Sequence, residues 1–89
     1  HSLAERLRSM PKVFEIDGFK FFFFSNEGNP QEPCHIHVRK GNGLAKFWVR
    51  PNVRLDSSVG FSAKELRFIE SEVKKNVELI EEAWNEFFY

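Results

Sequence analysis

The sequence predicts a single α+β domain in which two antiparallel β-hairpins form one sheet that packs on a long C-terminal α-helix. Two turn signals, Asp17-Gly18 and Asn42-Gly43, each separate runs of strand-like residues, which is the pattern of a tight hairpin. From residue 63 onward, apolar residues instead recur at steps of three and four, which predicts a helix. A chain of 89 residues fits one small domain.

The first hairpin is expected over residues 13–24, with Asp17 and Gly18 at the positive φ angles of a type I′ turn. In that register Glu15 lies opposite Lys20, which gives a cross-strand ion pair on one face and aromatic packing on the other. Phe22 and Phe24 then lie on a face that the single predicted helix does not cover.

The second hairpin is expected over residues 34–50, with Asn42 and Gly43 as its turn. That turn places His37 opposite Trp48 and His35 opposite Arg50. Strand alternation then separates two faces. The apolar face is a predicted core that contains Cys34, Ile36, Val38, Ala45, Phe47 and Val49. The polar face contains His35, His37, Arg39, Lys46, Trp48 and Arg50. Pro51 should end the pairing, and residues 56–60 are expected to be a connector.

One helix is predicted from Ala63 to Phe88, and it begins with a capping box of Ser62 and Glu65. Such a helix spans about 39 Å, whereas strands of seven residues span roughly 23 Å. Its last turns should therefore overhang the sheet and expose Trp84. Together with exposed Phe22, this predicts a homodimer, with a heterologous partner on the same surface as the alternative.

Composition predicts the bounds of the domain, its cellular location and its distribution of charge. Residues 1–9 precede Met10 and are expected to be the remnant of an expression tag, which leaves residues 10–89 as the folded domain. The single cysteine allows no internal disulfide, and no apolar run has membrane length, so a cytoplasmic protein without a membrane association is expected. Residues 33–55 carry five bases and no acid, whereas residues 56–89 carry eight acids and four bases.

Several chemistries fit the polar face. His35 and His37 are candidate catalytic residues of a metal-independent ribonuclease, one as base and one as acid, with cations to stabilise phosphate. Simple recognition of RNA or another single strand is the second possibility, since Trp48 offers a stacking platform. The candidate residues for binding nucleic acid or a partner protein are Arg39, Lys46, Trp48 and Arg50. A His-x-His metal site and a non-enzymatic interaction module remain alternatives, although we expect no metal and no cofactor because nearby arginines repel a dication.

Three segments together resemble a family of small bacterial proteins catalogued as a domain of unknown function, number four-one-six-zero. They are Glu32-Pro33-Cys34-His35-Ile36-His37-Val38, Ala45-Lys46-Phe47-Trp48-Val49 with Pro51, and Gly60-Phe61-Ser62 through Leu66. The resemblance implies a cognate small protein partner in a toxin-antitoxin-like module and a nucleic-acid target. It also implies functional importance for His35, His37, Lys46 and Trp48.

Overall fold

The chain folds into a five-stranded antiparallel sheet and two C-terminal helices, seen in a computed structural model that describes residues 11–25 and 32–88. The predicted α+β class is confirmed. The prediction of only two hairpins is wrong because a fifth strand extends the sheet. The prediction of one helix is wrong because the helical region is divided into two helices. The expected tag remnant lies outside the described residues. The elements are β1 (Lys12–Ile16), β2 (Phe19–Phe22), β3 (His35–Lys40), β4 (Gly43–Trp48), β5 (Arg54–Val59), α1 (Ala63–Lys75) and α2 (Val77–Phe88).

The first hairpin has the predicted register. Ile16 pairs with Phe19, and Glu15 pairs with Lys20. Asp17 and Gly18 have φ angles of 51° and 82°, as a type I′ turn requires. On the other face of the hairpin, Phe14 stacks on Phe21 with ring centroids 4.3 Å apart.

The second hairpin keeps its predicted faces but not its predicted register. Lys40 pairs with Gly43, so the turn residues are Gly41 and Asn42, and every pair is shifted by two positions. Glycine with φ 57° at the first turn position is typical of a type II′ turn. Because side chains alternate with a period of two, this shift leaves each residue on its expected face.

Contacts of Gly43 give a physical reason for this register. A Cβ atom at Gly43 would lie 2.3 Å from the ring of Phe61, so the aromatic side chain occupies the space that a larger residue would need. Gly60 has φ 81°, and a Cβ there would lie 2.7 Å from the carbonyl oxygen of Asn42. The Gly60-Phe61 pair therefore docks on the second hairpin just before α1 begins.

Strand β5 replaces most of the expected connector. It pairs with β4 along its length, with a bulge at Asp56 because Ser57 pairs with Lys46 and Leu55 pairs with Phe47. All six β5 residues are exposed. The strand thus forms an edge of the sheet that the helices do not cover.

The two helices meet at Asn76, whose side-chain amide donates to the Glu72 carbonyl at 2.7 Å. The predicted capping box is present, since Ser62 accepts from the Glu65 amide at 3.1 Å and Glu65 accepts from the Ser62 amide at 2.8 Å. The helices cover the apolar face of the sheet. The main core residues are Phe21, Phe23, Ile36, Val38, Phe47, Val49, Ile69, Val73, Ile80 and Trp84.

The surface on which the predicted homodimer depended is buried within one chain. Trp84 packs edge-on against Phe23, and Phe22 packs against Phe24 and His37. The expectation that Trp84 and Phe22 are exposed is therefore wrong, since they are 3% and 4% exposed. No helix within residues 11–25 and 32–88 is long and apolar enough to cross a membrane.

Candidate functional site

The polar side chains of β3, β4 and β5 lie on the sheet face opposite the helices, which we call the outer face. Its position follows from alternation, since the neighbouring residues Ile36, Val38 and Phe47 pack into the helix-covered core. The outer face contains His35, His37, Arg39, Leu44, Lys46, Trp48, Arg54, Ser57 and Val59.

His35 is completely buried at the beginning of β3. Its ring lies 4.9 Å from Trp84, 5.3 Å from Trp48 and 5.4 Å from His37. The last residue of β2 pairs with His37, so β2 does not extend alongside His35. Trp84 of α2 contacts the His35 ring in the space beyond the end of β2. The Nδ1 atom donates to the Pro33 carbonyl at 3.0 Å, which fixes the orientation of the imidazole.

His37 lies closer to the surface and is 7% exposed. The Phe24 ring packs edge-on against it at 4.4 Å, and Phe22 lies on another side at 5.7 Å. His37 lines one wall of a cleft of about 280 Å³ whose other lining residues include Lys46 and Ser57. Of the two histidines, His37 is therefore the one that this cleft brings next to a cation and a hydroxyl.

Trp48 forms an anchored aromatic surface beside the cleft. Its Nε1 donates to Asp56 Oδ1 at 2.9 Å, which fixes the half-buried indole. Lys46 Nζ lies 4.3 Å from the ring centroid, and Arg54 Cζ lies 5.6 Å from it. Lys46 is also 3.9 Å from a Glu32 carboxylate oxygen. Both cations are close enough for cation–π attraction.

A second basic cluster lies on the same face at β1 and β2. Arg39 sits over the Phe22 ring at 5.6 Å, and it lines a small hollow of about 60 Å³ with Lys12 and Lys20. Lys12 pairs with Glu15 at 3.1 Å. Positive charge therefore extends across the outer face from Lys12 to Arg54.

Strand alternation predicted Arg50 on the outer face, but Arg50 contacts helix α2 instead. β4 ends at Trp48, and the Arg50 guanidinium donates two hydrogen bonds to the Glu81 carboxylate on α2. This contact lowers the pKa of Glu81 and raises the pKa of Arg50. The structure thus gives Arg50 a contact that ties the end of the hairpin to the helix.

Cys34 is buried on the apolar face, as its position in the alternation predicted. Burial, and then the nearby Glu81 carboxylate, raise the pKa of the thiol to about 12. The thiol therefore stays protonated and unreactive at neutral pH.

Metal-ligand clusters are absent from the part of the chain that the structure describes, where no group of three or more His, Cys, Asp or Glu side chains is arranged to hold an ion. Two residues that contact Trp48, Arg54 and Asp56, were not among the site residues predicted from the sequence. Both belong to β5, most of which was predicted to be a connector, over residues 56–60.

Comparisons with known proteins give one match. A family model described as a domain of unknown function (DUF4160) matches residues 18–85, which include β2 to β5 and most of the helical region. No curated protein and no solved structure matches the chain.

Proposed function

The chain belongs to the DUF4160 family of domains of unknown function, and we propose that it binds single-stranded RNA on its outer face. The observation that carries the proposal is the anchored Trp48 indole with the Lys46 and Arg54 cations over its ring. Proteins that hold single strands without reading a sequence combine a stacking aromatic with cations that follow the phosphates. Both components meet here within one surface.

The distribution of charge supports an anionic ligand on this face. The described outer-face cations are Lys12, Lys20, Arg39, Lys46 and Arg54, against the neighbouring acids Glu15, Glu32 and Asp56. Helix α2, on the other side of the sheet, carries four glutamates and no base. A polyanion is therefore attracted to one side of the domain and repelled by the other.

The burial of the two histidines favours binding over strand cleavage. A pair of imidazoles that act as acid and base must both reach the reacting phosphate or its leaving group. His35 is fully enclosed by Trp48, Trp84 and His37, and its Nδ1 is engaged by Pro33. We therefore assign His35 to positioning the indole of Trp48 and His37 to the wall of the cleft.

His37 and Lys46 suggest how a phosphate is held next to the stacked base. Both line the cleft with Ser57, together with apolar side chains that include Phe24 and Val59. An ammonium attracts phosphate, and an imidazole N–H or a hydroxyl donates to its oxygens. In this arrangement Trp48 stacks on a base while the cleft receives the adjoining phosphate.

Titration of a fluorescently labelled single-stranded RNA, followed by anisotropy, tests the proposal. Lys46→Ala should weaken binding and should reduce the slope of log K against log salt concentration by about 0.7, the value for one lost phosphate contact on a single strand. Lys64→Ala removes the same charge from an exposed position on α1 and is the matched control. Equal losses in the two variants would reject the outer face as the binding surface.

The two-protein module implied by the family resemblance is the setting that we propose for this binding. In that setting a cognate small protein covers the outer face and competes with RNA. Adding that cognate protein should then lower the RNA anisotropy of the wild-type complex. If that protein binds stably and the RNA anisotropy does not change, the protein and the RNA bind different surfaces, which would contradict the competition.

A further inference from the structure

The second basic cluster, formed by Lys12, Lys20 and Arg39, brings like charges together on the outer face. Lys20 of β2 pairs directly with Arg39 of β3, and both side chains are exposed. Like charges that lie opposite each other on neighbouring strands are destabilising. Glu15 forms an ion pair with Lys12 at 3.1 Å and so offsets part of this positive charge. An anion bound between Lys20 and Arg39 would relieve the remaining repulsion, which favours an anionic ligand at this position.

We propose that the second basic cluster is a second phosphate subsite for the RNA strand whose base stacks on Trp48. The ligand is then a single strand several nucleotides long that crosses the outer face from β4 toward β1. This inference rests on the proposed RNA binding, and it adds a second point of contact, a direction and a minimum length. It assigns to Lys20 and Arg39 the role of holding a phosphate that is remote from the stacked base.

Aromatic side chains connect the cleft to the second basic cluster. The ring centroids of Phe24 and His37 are 4.4 Å apart in the wall of the cleft, and those of Phe24 and Phe22 are 5.2 Å apart. Arg39 in turn lies over the Phe22 ring at 5.6 Å. Phe24 is half-buried, so its ring contributes aromatic surface between the two groups of cations. Rings and cations that alternate along one path are typical of surfaces that bind single strands without reading a sequence.

The distance between the two subsites sets the length of the ligand. Arg39 pairs with Leu44, which lies four residues before Trp48 on β4. Since a strand advances about 3.4 Å per residue and neighbouring strands lie about 4.8 Å apart, the backbones at Arg39 and Trp48 are about 14 Å apart. One strand of a stacked duplex advances about 3.4 Å per nucleotide, so this distance corresponds to about four nucleotides, and to fewer in a more extended strand.

A dinucleotide is too short to occupy both subsites. Its two nucleosides share a single linking phosphate, and the cleft beside Lys46 takes that phosphate when one base stacks on Trp48. A longer strand has further phosphates that can reach Lys20 and Arg39. The two lengths of RNA therefore distinguish contacts at the cleft from contacts at the second basic cluster.

Binding of uridine oligonucleotides of two and eight nucleotides, followed by quenching of tryptophan fluorescence, tests the second subsite. Replacing Lys20 and Arg39 together with alanine should weaken binding of the eight-nucleotide strand about fivefold in roughly 0.1 M salt, since a salt slope lower by about 0.7 gives that factor over one decade of salt concentration. The same variant should bind the dinucleotide as the wild type does. The matched control replaces Lys64 and Arg67 together with alanine, which removes the same two charges from exposed positions on α1. Circular dichroism of both variants establishes that they are folded.

Lys46→Ala separates this inference from the proposed function, because it should weaken binding of both lengths. If the Lys20 and Arg39 variant binds the eight-nucleotide strand as tightly as the control variant does, the second subsite is wrong, while RNA binding at Trp48 stands. An equal loss of affinity for both lengths would also overturn the second subsite, because the effect would not depend on reach. If neither length quenches the wild-type fluorescence, the proposed function is rejected and the second subsite with it.

Discussion

Replacing His35 with alanine should lower the free energy of unfolding by about 3–4 kcal/mol. The side chain is fully buried, so its removal leaves a cavity beside the rings of Trp48, Trp84 and His37. Removing a buried phenylalanine ring costs about 3–5 kcal/mol, and the smaller imidazole loses about 2–3 kcal/mol by the same reasoning. The unmade hydrogen bond to the Pro33 carbonyl adds about 1 kcal/mol.

Urea unfolding followed by circular dichroism measures this difference directly. For a domain of this size, a loss of about 3–4 kcal/mol lowers the melting temperature by about 12–32 °C. His35→Phe separates the two contributions, because it keeps an aromatic ring but cannot donate to Pro33, and it should recover most of the packing energy. Arg39→Ala, on the same strand and face but exposed, should change stability by less than about 0.5 kcal/mol. A His35→Ala effect as small as that of Arg39→Ala would refute the buried position of His35.

Three further predictions concern the contacts around the site. Gly43→Ala should destabilise the domain by about 1–3 kcal/mol through its clash with Phe61, and the loss should shrink in a Phe61→Leu background, as a double-mutant cycle in urea would measure. Because Arg50 lowers the pKa of Glu81, their ion pair stabilises above the usual pKa of a glutamate, about 4.3, and the stabilisation is lost as the pH falls through the lowered value. Arg50→Gln should therefore be less stable than wild type at neutral pH and equal to it in strong acid; a constant difference across a pH series would contradict this. Cys34 should resist iodoacetamide in the native protein and react after unfolding, and rapid native labelling would show that the thiol is accessible.

The two faces of the second hairpin were predictable from sequence, but the register and the surroundings of the histidines were not. Alternation places His37 and Trp48 on one face, and a shift by two positions preserves that result. The shift itself depends on Phe61, a residue distant in sequence that needs the space at Gly43. Burial of His35 depends on Trp84, which approaches from the other side of the sheet.

The extra strand and the helix break had weaker local signals. The Asp56-Ser57-Ser58 segment has low intrinsic strand propensity, and it is extended because its backbone pairs with β4. The apolar stripe continues in phase from Val73 to Val77, so periodicity alone predicts one helix. Asn76 interrupts it through a side-chain bond to a backbone carbonyl, a competition that asparagine commonly introduces.

Fluorescence of Trp48 tests the central claim most directly. The chain contains two tryptophans, so a Trp84→Phe variant, whose fold is first established by circular dichroism, leaves Trp48 as the single indole. If a base stacks on this ring, single-stranded RNA should quench the emission saturably, and added salt should reverse the quenching as phosphate contacts are lost. Emission that is unchanged while anisotropy shows the same RNA to be bound would place the RNA elsewhere and would contradict the assignment of the outer face.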